Sequence, residues 1–184
     1  MENIKRIPVG ENILLKQIEL EDATDIFNTI NNQRQYLRKW LPFVDLTNEI
    51  KDTQSFITSM LDVPEENKEY VFVIHCKGSF VGLIGFKDTD RLNKKTEIGY
   101  WLSEIYQKKG IITESVKVLL HFAFDELAIN RVQIKCAVGN TQSKNIPKRL
   151  GFKFEGIERD GELLVDNQFT DIEVYSLIKK DICH

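Results

Sequence analysis

Tyr106 to Ser115 reads YQKKGIITES, and one glycine in it, Gly110, follows two lysines and opens a long apolar-periodic segment. Ile112, Val116, Leu119, Leu120, Ala123 and Leu127 fall on one stripe, which predicts a helix with one buried face. Asn130 is the expected stop for it. Gly110 is either the hinge where a loop enters that helix or the point at which backbone amides close around a phosphate. A helix N-terminus carries unsatisfied N–H groups and partial positive charge, so it is a ready anion site. Glycine permits the backbone angles and the close ligand approach such a site needs. A plain turn would use the same residue, so the flanking segments must discriminate.

Upstream lie three strand-like runs, YVFVIHC (Tyr70–Cys76), SFVGLIGF (Ser79–Phe86) and TEIGYWL (Thr96–Leu102). Lys77-Gly78 between the first two is a tight hairpin signal. Downstream, RVQIKCAV (Arg131–Val138) is a strand separated from TEIGYWL by the predicted helix, so the two should run parallel. A short helix around Ser143–Leu150 and two strands, near Phe152–Arg159 and Asp171–Ile178, follow. Pro147 supplies no N–H, which predicts a helix that is short or starts late. Nearer the N-terminus, ILLKQI (Ile13–Ile18) reads as the first strand. The acidic cluster Glu19, Glu21 and Asp22 precedes a helix carrying Ile26, Phe27 and Ile30. Another helix starts at about Asn48, with Ile50, Phe56, Ile57, Met60 and Leu61 in phase, and Pro64 ends it. The expected fold is α+β: a mostly antiparallel mixed sheet of about seven strands with one central parallel βαβ step and helices on both faces. One domain covers residues 1–184.

Composition narrows the function. The chain has 184 residues, 42% hydrophobic and 29% charged, with a formal net charge of −3. That balance excludes a general nucleic-acid binder, which needs a basic face. MENIKRIPVG lacks the apolar core of a secretory signal, and no apolar run approaches a membrane span. Cys76, Cys136 and Cys183 are odd in number and lack metal-ligand spacing, so reduced thiols in a cytoplasmic protein, and no metal, are expected. Neither a GxxxxGKS/T phosphate loop nor a GxGxxG after a strand is present.

Three segments in order carry a resemblance. Gln107-Lys108-Lys109-Gly110-Ile111-Ile112 is similar to the pyrophosphate loop Q/R-x-x-G-x-G/A of the GNAT acetyltransferases, with Ile112 departing from the small last residue. Asn140, Ser143, Leu150-Gly151-Phe152 and Glu155-Gly156 resemble that family's NxxS…LGFxxEG segment at intact spacing. EIGYWL and YLRKWLPF (Tyr36–Phe43) resemble the RimJ/RimL-type ribosomal-protein N-terminal acetyltransferases within it.

The resemblance implies a parallel strand pair splayed around acetyl-CoA. Tyr100, Trp101 and Leu102 would hold the pantetheine arm, and a backbone N–H at the end of TEIGYWL would stabilise a developing oxyanion. Gln107 to Thr113 (Lys108, Lys109, Gly110, Ile111 and Ile112 between them) would hold the phosphates, with Asn140 and Ser143 across the cleft. Many family members place a proton-donating tyrosine where Pro147 stands here, so the implied donor to the departing thiolate is Ser143. The alternative for Ser143 is an N-cap of the short helix. Glu162 is the implied base and Glu97 the runner-up, each otherwise an ordinary surface carboxylate. Tyr36, Trp40, Leu41 and Phe43 form one wall of an acceptor groove, or else a buried inter-helix connection. Cys136 borders the cleft but reads first as a buried structural thiol, and His75, His121 and His184 as packing, surface or terminal residues.

The implied activity is N-acetylation of a primary amine, with the N-terminal α-amine of a ribosomal or other protein as acceptor and a homodimer as the assembly. An α-amine, with pKa about 7.7–8.0 against about 10.4 for lysine, needs only a modest base. A small amine such as a polyamine or antibiotic is the enzymatic alternative. A CoA-binding or partner-docking module without turnover is the other.

Overall fold

In this computed structural model, which describes residues 5–64 and 67–182, the apolar runs pair into one eight-stranded sheet. The strands are β1 (Arg6–Val9), β2 (Ile13–Gln17), β3 (Val71–Cys76), β4 (Ser79–Asp90), β5 (Lys95–Leu102), β6 (Arg131–Ala137), β7 (Lys153–Leu163) and β8 (Phe169–Ile178). Their spatial order is β1-β2-β3-β4-β5-β6-β8-β7. Every neighbouring pair is antiparallel except β5 and β6. The helices are α1 (Ala23–Asn32), α2 (Arg34–Leu37), α3 (Ile50–Leu61), α4 (Ile111–His121) and α5 (Thr141–Arg149). Cys183 and His184 lie outside the described residues.

Alternation along the strands splits the core in two. Val73, Leu83 and Trp101 pack with Ile26, Ile30 and Ile57 of α1 and α3. Phe72, Ile84 and Ile98, one residue out of phase, pack with Val116 and Leu119 of α4 on the opposite face. Period-two patterning thus puts a separate helical layer on each side.

Three differences from the predicted elements have physical causes. The eighth strand is β1, whose Pro8 argues against a strand in sequence; at the sheet edge the missing N–H costs nothing in the ladder. The α4 segment does not continue regularly to Asn130. After His121 the chain widens, with Leu127 N–H bonded to the Phe122 carbonyl at 3.1 Å, and Ala128 turns left-handed at φ 53°. Phe122, Ala123 and Phe124 lie buried in this wider turn, continuing the apolar face of Leu119 and Leu120. Third, α5 starts on time at Thr141 despite Pro147. In the acidic cluster before α1 the Asp22 carboxylate accepts from Glu19 N–H at 2.8 Å; at α3 the Asp52 carboxylate likewise accepts from the N–H groups of Asn48 and Glu49 at 2.7 and 2.9 Å.

Candidate active site

The parallel step is short. β5 and β6 pair only at Lys95/Arg131, Thr96/Val132 and Glu97/Gln133. Beyond that point β5 stays on β4, as far as Leu102 opposite Gly82, while β6 stays on β8, as far as Ala137 opposite Ile172. The inner backbone edges of residues 98–102 and 134–137 therefore diverge without each other as partners. β4 holds the end of β5 closely: a Cβ on Gly82 would lie 2.2 Å from the Trp101 carbonyl oxygen, so only glycine fits there.

A cleft of about 300 Å³ opens at this divergence, between β5, the N-terminus of α4 and α5. Gly110 caps α4 with φ 76°, in the left-handed region, and nothing lies within 4 Å of where its Cβ would be. Glu114 N–H bonds back to the Gly110 carbonyl at 2.9 Å, so the amides of Ile111, Ile112 and Thr113 precede the first intrahelical bond. The side chain of Ile112 is buried in the core beside Val116, which absorbs its bulk and explains how this loop tolerates it. Lys108 and Lys109 are exposed at the rim, with Lys109 Nζ 4.7 Å from the Tyr106 ring centre. Gln107 donates to the Tyr36 hydroxyl, and Gln33 bonds both Ser103 Oγ and Glu104 N–H at 2.8 Å. The α1–α2 corner is thereby tied to the loop that leads into α4. Arg149, which the sequence did not single out, lines the same cleft and donates to Thr113 Oγ1 at 3.0 Å.

On the α5 side, Asn140 Oδ1 accepts from Ser143 N–H at 3.2 Å. Asn140 is thus the N-cap, which leaves the Ser143 hydroxyl without that duty. Ser143 Oγ lies 3.2 Å from both the Tyr100 hydroxyl and Cys136 Sγ. The Ser143 carbonyl would bond the N–H of residue 147 in a regular helix, but that residue is proline. Tyr100 donates its hydroxyl to this carbonyl at 3.1 Å instead. Burial pushes the Tyr100 phenol well above its usual range and the Cys136 thiol up to about 11, so both are neutral near pH 7.

A second cavity, about 630 Å³, lies against α1 and α3. Tyr100, Trp101 and Leu41 line both cavities; Tyr36 and Trp40 border the first alone, and Phe43 the second alone. Glu162 stands at the second cavity, where burial raises its pKa, Lys87 opposes the rise and Glu97 adds to it. Glu97 is itself buried and paired with Lys87 at 2.9 Å, and it lines neither cavity. Burial alone would lower the Lys87 ammonium, but Glu97 more than offsets this and raises it. His75 and His121 border neither cavity, and among the described residues no group of three or more His, Cys, Asp and Glu is arranged to hold a metal ion.

Splayed parallel strands between two helical layers, with a helix N-terminus opening onto the splay, define an acyl-CoA-dependent acyltransferase fold. The chain belongs to the GNAT acetyltransferases: residues 12–153 match the profile of the Acetyltransferase (GNAT) domain. It is 35% identical over 179 residues to a Bacillus subtilis (strain 168) protein named putative ribosomal N-acetyltransferase YdaF, covering 94% of each chain. It is 28% identical to the ribosomal-protein-serine acetyltransferase of Escherichia coli (strain K12), covering 94% of this chain and 96% of that one. Among solved structures it superposes with TM-score 0.88 on the microcin C7 self-immunity acetyltransferase MccE, bound to acetyl-CoA and AMP. The two are 31% identical, and the match covers 94% of this chain and 95% of that one. The chain is therefore an N-acetyltransferase of the GNAT type, similar to proteins named as ribosomal-protein acetyltransferases.

Proposed function

We propose that this enzyme acetylates the N-terminal α-amine of a protein, a ribosomal one in the first instance. Acetyl-CoA would enter by the Gly110 cleft and the acceptor by the larger cavity. The observation that carries this reading is that Leu41, Tyr100 and Trp101 line both cavities, the last two on the edge of β5 that β6 leaves unpaired. An amine entering from one side reaches a thioester entering from the other.

The residues fit the cosubstrate. Open space at Gly110 and the three leading amides of α4 suit a diphosphate, and Lys108, Lys109 and Arg149 add positive charge around it. The backbone edge of Tyr100, Trp101 and Leu102, lacking β6 as partner, can bond the amides of a pantetheine arm. When bound, acetyl-CoA supplies a thioester carbonyl open to attack by an amine. An N–H at the end of β5 stabilises charge growing on that carbonyl oxygen. Ser143 gives its proton towards the departing sulfur, with the neutral Tyr100 hydroxyl and Cys136 thiol in contact behind it. Glu162 takes a proton from the incoming ammonium, directly or through water; its freedom from any close ion pair among the described residues favours it over the Lys87-paired Glu97.

The enzyme acts in the cytoplasm, where free Cys76 and Cys136 stay reduced. It acts as one domain and pairs into a homodimer through edge strand β7, whose Phe154 and Ile157 are exposed. The test of function is thiol release from acetyl-CoA with a panel of N-terminal peptides, polyamines and aminoglycosides. Turnover with the peptides is the expected result; turnover confined to small amines would overturn the protein acceptor, and CoA binding without thiol release from any amine would overturn catalysis.

A further inference from the structure

The acceptor cavity is far larger than an amine needs. At about 630 Å³ it falls in the range that encloses a ligand of many atoms. Its walls come from Ile26 and Ile30 of α1, Phe56 and Met60 of α3, and Leu41 and Phe43 in the connection between those helices. Its charged lining residues are Asp52, Glu69, Lys87 and Glu162, and its two threonines turn their hydroxyls elsewhere. Thr47 Oγ1 donates to the Phe43 carbonyl at 3.0 Å, and Thr53 Oγ1 is sealed from solvent. The lining is therefore mostly apolar surface, and it continues outward onto exposed Phe43 (39% exposed), Phe56 (45%) and Leu46 (76%).

The carboxylates of the cavity are mostly engaged. Asp52 is held by the Asn48 and Glu49 amides, and Glu69 accepts from Thr89 N–H at 2.9 Å. Glu97, buried and outside the lining, is paired with Lys87, which lines the cavity. Glu162 alone among the carboxylates lining the cavity has neither a hydrogen bond nor an ion pair among the described residues. One open carboxylate, exposed on β7 with Lys87 as the cation acting on it, borders a mostly apolar lining and matches one ammonium on an apolar body. A polyamine would leave its other ammonium groups against hydrocarbon, and a sugar amine would leave its hydroxyls unpaired there, both costly.

Resting on the reading of this site as one for a protein N-terminus, we infer that the acceptor's first residue carries a large apolar side chain, such as leucine, methionine or phenylalanine. That side chain fills the space between α1 and α3, while its α-ammonium meets Glu162 and the following residue crosses Phe43, Leu46 and Phe56.

The experiment uses peptides identical except for leucine or serine at position one, with spermidine as the polycation, and reads thiol release from acetyl-CoA. The expected kcat/KM is at least tenfold higher for the leucine-first peptide than for either competitor. Equal or better use of the serine-first peptide or of spermidine overturns the inference while leaving acetyl transfer intact. Binding of both peptides to the CoA-loaded enzyme is measured by calorimetry, so that the inference is decided even if no amine releases thiol, a result that would by itself sink the proposed reaction. Phe56→Glu and Leu46→Glu, both at exposed positions, should weaken leucine-first binding at least fivefold and leave CoA affinity unchanged. No preference for the leucine-first peptide, or unchanged binding in both variants, overturns the inference.

Discussion

Tyr100 donates its hydroxyl to the main-chain carbonyl of Ser143, the one carbonyl of α5 whose helical partner Pro147 removes. A phenol on the sheet thus completes a helix, and in doing so fixes α5 against the end of β5. Tyr100→Phe should cost about 1–3 kcal/mol in denaturant unfolding, because a desolvated carbonyl is left unpaired. Pro147→Ala returns the missing N–H. In that background the Tyr100→Phe cost should fall below about 1 kcal/mol, giving a coupling of about 1 kcal/mol or more in the double-mutant cycle. Additive effects would show that the two groups do not share this carbonyl.

The division of labour between Asn140 and Ser143 makes a second prediction. Asn140 caps α5, so Asn140→Ala should lower stability by about 1 kcal/mol. Ser143→Ala removes only the hydroxyl between Tyr100 and Cys136 and should leave the melting temperature nearly unchanged. It should reduce kcat at least tenfold while the acetyl-CoA dissociation constant moves little. A Ser143→Ala variant that melts early and turns over normally would assign Ser143 to structure instead.

The sequence made most of this legible where a local signal and a long-range pattern agreed. Apolar alternation announced the central strands, and the family resemblance carried by TEIGYWL, YQKKGIITES and NTQSKNIPKRLGFKFEG implied the splayed cleft. The places where it fell short are tertiary. Pro8 hid β1 because a proline is tolerated only when the strand happens to lie at an edge. Pro147 predicted a disturbed helix because nothing local reveals that Tyr100, far off in sequence, supplies the missing donor. Arg149 reads as an ordinary helix-end cation until α5 packs against Thr113. Tyr36 and Trp40 looked like companions of Phe43, yet the chain turns at Leu41 and divides them between two cavities.

Gly110 tests the phosphate cradle. Its φ of 76° costs any L-residue about 1–2 kcal/mol, and more for a β-branched one. Its Cβ would project into open space, so Gly110→Ala should fold with a modest loss of stability and only slightly weaker CoA binding. Gly110→Val should weaken CoA at least tenfold, measured by calorimetry on protein that still melts cooperatively. Unchanged affinity in a folded Gly110→Val variant would reject the cradle.

Glu162 sets the acid side of the pH profile. Burial raises its pKa above the ordinary carboxylate value, with Lys87 opposing and Glu97 reinforcing that rise. As a base it works only when ionised, so kcat/KM should climb as pH rises through this raised pKa. It falls again as the acceptor α-amine loses the proton that Glu162 accepts, at about pH 7.7–8.0. Glu162→Gln should replace this bell by a single climb with the free amine near that pH, and lower kcat/KM at neutral pH at least tenfold. Lys87→Met removes the neighbouring cation that favours the carboxylate, so the acid limb should move to higher pH. Stability carries the opposite sign: a carboxyl whose folded pKa is raised stabilises the fold fully below its unfolded pKa, and that contribution disappears as pH rises through the folded value. Wild type should therefore lose a little stability relative to Glu162→Gln as pH rises above the ordinary carboxylate pKa of about 4.3, over the same range in which it gains activity. An acid limb that survives in Glu162→Gln would transfer the role to another group, and Glu97→Gln would then be the variant to measure.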